Sequence, residues 1–189
     1  MVAAANAARL PYAEYLALEE KSDAKHEYIG GRVYAMSGGT PAHARLASTV
    51  GGMLRAQLGG KRCVTFTSDL RVRVLATGLA TYPDVTVVCG KLERDPDDEN
   101  AVVNPIVLVE VLSASTEAYD REEKFAHYRR IPSLRAYVLV SQEERRVEMF
   151  SRNDDGTWTL RDVRDGDARV EPIDCVLGIN ELYEDPLAD

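Results

Sequence analysis

Glu110 stands where a carboxylate is most costly. It interrupts Pro105-Ile106-Val107-Leu108-Val109-Glu110-Val111-Leu112, a run apolar enough for a strand buried on both faces. An ionised carboxylate there is expensive unless a cation or a metal ion compensates it. A second carboxylate, Asp84, follows Pro83 at the mouth of another apolar run, Val85-Thr86-Val87-Val88. Two hard oxygen donors at the ends of neighbouring strands suit Mg²⁺ or Mn²⁺, which take one or two carboxylates and complete their shell with water and substrate phosphate. The same residues admit a plainer reading, in which Glu110 pairs with an arginine at a sheet end and Asp84 caps a turn.

The elements that must position these carboxylates read as α+β. Pro11 to Lys21 has a partly apolar helical face of Tyr12, Tyr15, Leu16 and Leu18. His26 to Met36 alternates about Gly30-Gly31, two glycines suited to the positive φ angles of a hairpin. Thr40 as cap, Pro41 at the first helical position and Gly59-Gly60 as stop frame a second helix. Its Gly51-Gly52 pair either weakens the helix locally or marks a close approach to a neighbour. From Cys63 to Leu75 the period becomes strand-like, with Leu70, Val72 and Val74 on one face and Asp69, Arg71 and Arg73 on the other. Asp84 to Cys89, Ile106 to Leu112, Ala136 to Val140, Arg146 to Ser151 and Thr157 to Arg161 read as further strands, and Thr116 to Arg130 as a helix with Phe125 and Tyr128 inward. Glu93 to Glu99 holds five acids and one base, a pattern of a solvated loop, and the chain after about residue 165 reads as a last strand and a tail.

In this order, several pieces are similar to the Uma family of restriction-endonuclease-like proteins. They are Glu27 to Ser37, His43, Ser68 to Val72, Tyr82-Pro83-Asp84-Val85-Thr86-Val87-Val88, Glu110 to Thr116, and then Asp120, Lys124 and Tyr128. The resemblance implies a PD-(D/E)XK nuclease-like fold, a mixed central sheet flanked by helices; the length of the chain fits one domain, with a core over about residues 10 to 165. It implies Asp84 and Glu110 as metal-binding carboxylates, the carbonyl of Val111 as a backbone ligand, and Mg²⁺ or Mn²⁺ as cofactor. The lysine expected two positions after Glu110 is replaced by Leu112, and the resemblance puts Lys124, on the following helix, in its role.

The chemistry so implied is metal-assisted hydrolysis of phosphodiester bonds, with Lys124 orienting water or stabilising charge on the phosphate. Asp120, four residues earlier on the same helical face, offers Lys124 a structural partner instead. Glu27 is a further candidate ligand, or the partner of Arg32 across the hairpin. His43 is placed to meet phosphate or metal, or merely to cap its helix, whereas His26 and His127 read as structural. Ser113, Ser115 and Thr116 are positioned to cap the helix that carries Lys124. Asp69 has Arg71 and Arg73 as expected partners.

Composition limits the alternatives. The chain has 189 residues, 45% of them hydrophobic and 29% charged, with a net charge of −8. An acidic chain is not an indiscriminate polyanion binder, yet residues 41–75 carry six basic residues against one acid. Arg45, Arg71 and Arg73 in that stretch are the candidate nucleic-acid contacts, with DNA the expected substrate. No apolar run approaches the ~20 residues needed to cross a bilayer, and residues 1–9 lack the pattern of a signal peptide. Cys63, Cys89 and Cys175 have no zinc-site spacing and are expected as reduced thiols of a cytoplasmic protein. The chain has no G-x-S-x-G elbow, P-loop or helix-turn-helix signature. Two readings of function remain: a metal-dependent endonuclease, which could act as a homodimer, and a nuclease fold that binds or regulates without catalysis.

Overall fold

The structure, a computed structural model, describes residues 9–187, so the reading of the extreme N-terminus as no signal peptide lies almost wholly outside the described residues. One six-stranded sheet contains β1 (His26–Ile29), β2 (Arg32–Ala35), β4 (Arg71–Val74), β5 (Leu79–Thr81), β7 (Arg94–Asp95) and β8 (Asp98–Val102), in the order β2-β1-β5-β4-β8-β7. A second contains β3 (Cys63–Thr67), β6 (Val85–Cys89), β9 (Val107–Leu112), β10 (Ala136–Ser141), β11 (Val147–Arg152) and β12 (Trp158–Val163), in the order β12-β11-β10-β9-β6-β3. Both are mixed: β9 runs parallel to β10 but antiparallel to β6, and β4 runs parallel to β8 but antiparallel to β5. A separate hairpin pairs β13 (Asp167–Val170) with β14 (Cys175–Gly178).

Helices α1 (Tyr12–Glu19) and α2 (Pro41–Gln57) precede the sheets' central strands, and α4 (Ile179–Tyr183) closes the described chain. The helix α3 between β9 and β10 has three parts: α-helical Glu117–Tyr119, one π-helical turn over Asp120–Lys124, and α-helical Phe125–Tyr128. As expected, Thr40 caps α2 by accepting the N–H of His43, and Pro41 occupies the first helical position.

All six residues of β9 and all six of β10 are buried. Alternation then divides their side chains between two cores. Val107, Val109 and Val111 face α2, packing with Leu46, Val50 and Leu54. Leu108 and Leu112 face the first sheet, packing with Tyr128, Tyr137, Val72 and Leu79. Glu110 shares the second face, so its carboxylate enters the seam between the two sheets. Cutting Leu54 back to alanine would cost about 2–5 kcal/mol by the usual core penalty.

The structure corrects several expectations. The alternating stretch from Cys63 to Leu75 is not one strand: after a turn at Ser68–Leu70 the chain leaves the second sheet and enters the first as β4. The acid-rich segment is not simply solvated, because Asp95 and Asp98 are buried against Arg73 and Arg71. Thr116 makes no capping bond; Ser113 Oγ instead lies 3.1 Å from Ser115 Oγ and 2.9 Å from Thr116 Oγ1. Cys63 and Cys89 are not thiols: antiparallel β3 and β6 set them opposite each other and they are joined as a disulfide, leaving Cys175 free and buried. No helix among the described residues is long and apolar enough to cross a membrane.

Candidate active site

The ends of β1 and β9, the entry to β6 and the π turn of α3 meet where the two sheets adjoin. β1 contributes Glu27, β9 contributes Glu110, the residue before β6 is Asp84, and the π turn contributes Asp120 and Lys124. A π turn widens one helical turn by a residue and is found disproportionately at functional sites. Here both residues that it turns inward, Asp120 and Lys124, are buried.

Lys124 is the hub. Its Nζ lies 3.1 Å from Glu110 Oε1, 3.2 Å from Glu27 Oε1 and 3.2 Å from Asp120 Oδ1. Three buried carboxylates thus surround one ammonium. Burial opposes the charge on Lys124, but Glu110 foremost, with Glu27 and Asp120, holds its pKa well above the ordinary value. Glu110 is pushed up to about 8, chiefly by burial, with Lys124 opposing and the charges of Asp120 and Asp84 adding to the rise. Tyr128 donates to Glu110 Oε1 at 2.8 Å, and Tyr119 donates to Glu27 Oε2 at 3.2 Å. Thr81 also donates to Glu27. Lys124 pairs with Asp120, as the helical spacing allows, and also with the strand carboxylates, while Glu27 meets Lys124 rather than the exposed Arg32.

Asp84 lies beside this cluster. The N–H of Val111 donates to Asp84 Oδ2 at 2.8 Å, and His43 Nε2 is 3.2 Å from the same oxygen. In a strand, the N–H and C=O of one residue point to the same side, so the Val111 carbonyl opens toward Asp84 and His43. The hydrogen bond to Asp84 raises the pKa of His43, burial lowers it, and the backbone of Val111 adds to the rise. Gly39 lets the imidazole lie against its loop: a Cβ there would meet His43 Nδ1 at 2.7 Å. Gln142 completes the wall, donating to the carbonyl of Leu112 at 2.6 Å and accepting from Thr40 at 2.7 Å.

The donor set fits a hard divalent cation. Glu27, Glu110 and Asp120 outnumber the one ammonium they share. No three His, Cys, Asp or Glu side chains among the described residues form a ready cage. Mg²⁺ needs none, since it keeps several waters and binds through one or two carboxylates. Asp84, Glu110 and the Val111 carbonyl are the groups that could hold it. Tyr119, Thr81 and Gln142 were not legible beforehand; each enters from a different element, and none carries a local pattern.

The candidate phosphate contacts are placed differently. Arg71 is buried, with Nε donating to Tyr82 Oη at 2.9 Å and Nη1 paired to Asp98. Arg73 Nε lies 3.4 Å from Asp95 Oδ2. Arg45 Nη1 donates to the carbonyl of Glu184 at 2.9 Å and pairs with Asp185 at 3.6 Å. Arg71 and Arg73 therefore brace the first sheet, and Arg45 ties α2 to the C-terminal segment. Asp69 pairs with Lys25 at 2.6 Å rather than with either strand arginine. His26 bonds Glu19 at 2.7 Å, a structural contact.

Comparison with known proteins decides the family. The profile of Uma2, described as "Putative restriction endonuclease", matches residues 12–183. The chain belongs to the Uma2 family. Two uncharacterized proteins of Synechocystis sp. (strain ATCC 27184 / PCC 6803 / Kazusa) resemble it. One, slr1290, is 37% identical over 171 residues, covering 90% of this chain and 89% of its own. The other, sll1609, is 33% identical over 171 residues, covering 90% of this chain and 97% of its own. The fold matches the crystal structure of a "putative nuclease" from Anabaena variabilis ATCC 29413, with a TM-score of 0.73 and 18% identity over 90% of this chain and 96% of that one. The Uma2 fold is thus the mixed-sheet, helix-flanked architecture expected of a restriction-endonuclease-like protein.

Proposed function

We propose that this Uma2 protein is a divalent-metal-dependent endonuclease that hydrolyses phosphodiester bonds, with DNA as substrate and Mg²⁺ or Mn²⁺ as cofactor. One observation carries the reading: Asp84, Glu110 and Lys124, from three separate elements, converge at one sheet junction that opens to a cleft. When bound, the cation would supply charge to polarise a phosphoryl oxygen and to lower the pKa of water. Asp84 and Glu110 would hold it, and the Val111 N–H fixes the carboxylate of Asp84 in position. Lys124 would neutralise charge that builds on the phosphate, and its three carboxylate neighbours keep it protonated for that role. Tyr128 orients Glu110 through its hydroxyl.

A second reading, a non-catalytic binding module, is favoured by a different observation. Glu110 Oε1 is already engaged by both Lys124 and Tyr128, and Leu112 stands at the usual lysine position. Thermal melting with Mn²⁺ or Ca²⁺ tests the metal site apart from activity, because a ligand that binds only the folded form raises its stability. The endonuclease reading expects a rise that is lost in Asp84→Asn. No rise with either ion would favour the binding module.

A further inference from the structure

A second cleft opens from the candidate active site, and beyond the Asp84 and His43 end that the two share its lining has no part in the chemistry just described. It lies between α2 and β3, encloses about 740 Å³, and shares His43, Tyr82 and Asp84 with the smaller cleft over Glu110 and Lys124. One wall is the face of α2 formed by Ala47, Ser48, Gly51 and Gly52, and the other is formed by Thr65 and Thr67 of β3.

The two glycines carry the argument. Each costs α2 about 1 kcal/mol relative to alanine in a helix interior. Close packing does not require them. A Cβ at Gly52 would meet nothing within 4 Å, and one at Gly51 would meet only Val85 Cγ2 at an ordinary 3.8 Å. The helix runs through both without a break despite that local weakening, and the close approach expected of the pair is absent. What the missing side chains leave is the space of the cleft itself.

Charge points to the occupant. On a chain of net charge −8, this cleft has Lys25 and Arg55 on its walls and only one acid, Asp84, where it joins the active site. Arg55 is exposed and has no ion-pair partner among the described residues. Lys25 pairs with the exposed Asp69, donates to the carbonyl of Ser68 and lies 5.6 Å from the centre of the Tyr82 ring. Tyr82 is buried and Phe66 packs in the core on the other face of β3, so the polar lining is carried by Ser48, Thr65, Thr67 and Ser68. A positively charged groove that follows the backbone is one of the means by which proteins hold an unpaired nucleic-acid strand. The volume lies within the range of ~300–1,000 Å³ of pockets that enclose one small ligand, which suits a single strand and not a duplex.

We infer that this cleft is the track of one unpaired DNA strand leading from the cut site, that Arg55 and Lys25 contact its phosphates, and that Gly51-Gly52 keeps it open. This rests on the endonuclease reading and names the form of its substrate.

The test is fluorescence anisotropy of a labelled twelve-nucleotide single strand and of a duplex of the same sequence, at low salt with Ca²⁺. Plasmid cleavage in Mg²⁺ is measured alongside. Gly52→Leu fills the cleft while favouring the helix, so its melting temperature should hold or rise. It should bind the single strand about tenfold more weakly, as should Arg55→Glu, whose salt dependence should also fall by roughly 0.7 in slope for a lost phosphate contact. Arg130→Glu, a change at an exposed arginine away from the cleft, should bind as the wild type does. Wild-type binding and cutting with both cleft variants unaltered would overturn the track and leave the nuclease standing. A wild type that prefers duplex, with the variants weakened no more than Arg130→Glu, would overturn it too. A wild type that neither binds nor cuts would overturn both readings.

Discussion

Lys124 Nζ stands 3.1 Å from Glu110 Oε1, although one is on a helix and the other inside a buried strand. Leu112, two residues along β9 on the same face as Glu110, packs in the apolar core with Leu108 and Tyr128. The cation that the strand does not carry is delivered from the π turn of α3, where the backbone points Lys124 back at the strand.

Removing that cation should be costly. Lys124→Met leaves Glu27, Glu110 and Asp120 buried without it, and loss of one partner of a buried ion pair costs about 3–5 kcal/mol. Urea denaturation of the metal-free protein measures this directly. A loss below about 1 kcal/mol, typical of an exposed pair, would show that the cluster is open to water.

Glu110 gives a pH signature. Its folded-state pKa, about 8, lies above its ordinary 4.5, so the folded protein binds this proton more tightly than the unfolded chain. The stability from that proton is complete below pH 4.5 and is lost as pH rises toward 8. Glu110→Gln, which keeps an acceptor for Tyr128, lacks this loss. Without metal, its melting temperature should gain on that of the wild type steadily between about pH 5 and about pH 9. A constant difference across that range would contradict the raised pKa.

Arg71 should act on stability alone. Arg71→Ala strands Asp98 in a buried site and should cost about 3–5 kcal/mol. The salt dependence of DNA binding should keep its slope, because no phosphate contact is removed. A shallower slope in a protein that remains folded would return Arg71 to the DNA surface.

The disulfide predicts a thiol count. Denatured without reductant, the protein should show one reactive thiol, from Cys175, and three after reduction. Reducing the Cys63–Cys89 bridge, which closes a segment with a sequence separation of 26, should cost about 3–4 kcal/mol by the loop-entropy relation. Three thiols without reduction would remove the bridge.

The parts of the site legible in the sequence were those that break a local pattern. Glu110 is conspicuous because strand alternation and apolarity surround it, and Asp84 because it follows a proline at the mouth of β6. The hairpin turn at Gly30-Gly31 was legible for the same local reason, since both glycines hold positive φ, 56° and 87°. What depends on long-range placement was not legible. Arg71 and Arg73 alternate as solvent-facing residues do, and only the return of β7 and β8 supplies the aspartates that bury them. Cys63 and Cys89 became partners only once β3 and β6 were paired in register. The π turn leaves no mark on a helical period, yet it decides where Lys124 points.

The most direct test is cleavage of supercoiled plasmid by the purified protein at low salt, in Mg²⁺, Mn²⁺ or EDTA, with Asp84→Asn, Glu110→Gln and Lys124→Arg prepared identically. Nicking or linearisation that requires the metal, and falls by at least ~100-fold in each folded variant, is the predicted result. Cleavage that persists in EDTA, or that survives both carboxylate substitutions, would contradict a metal-dependent site at Asp84 and Glu110.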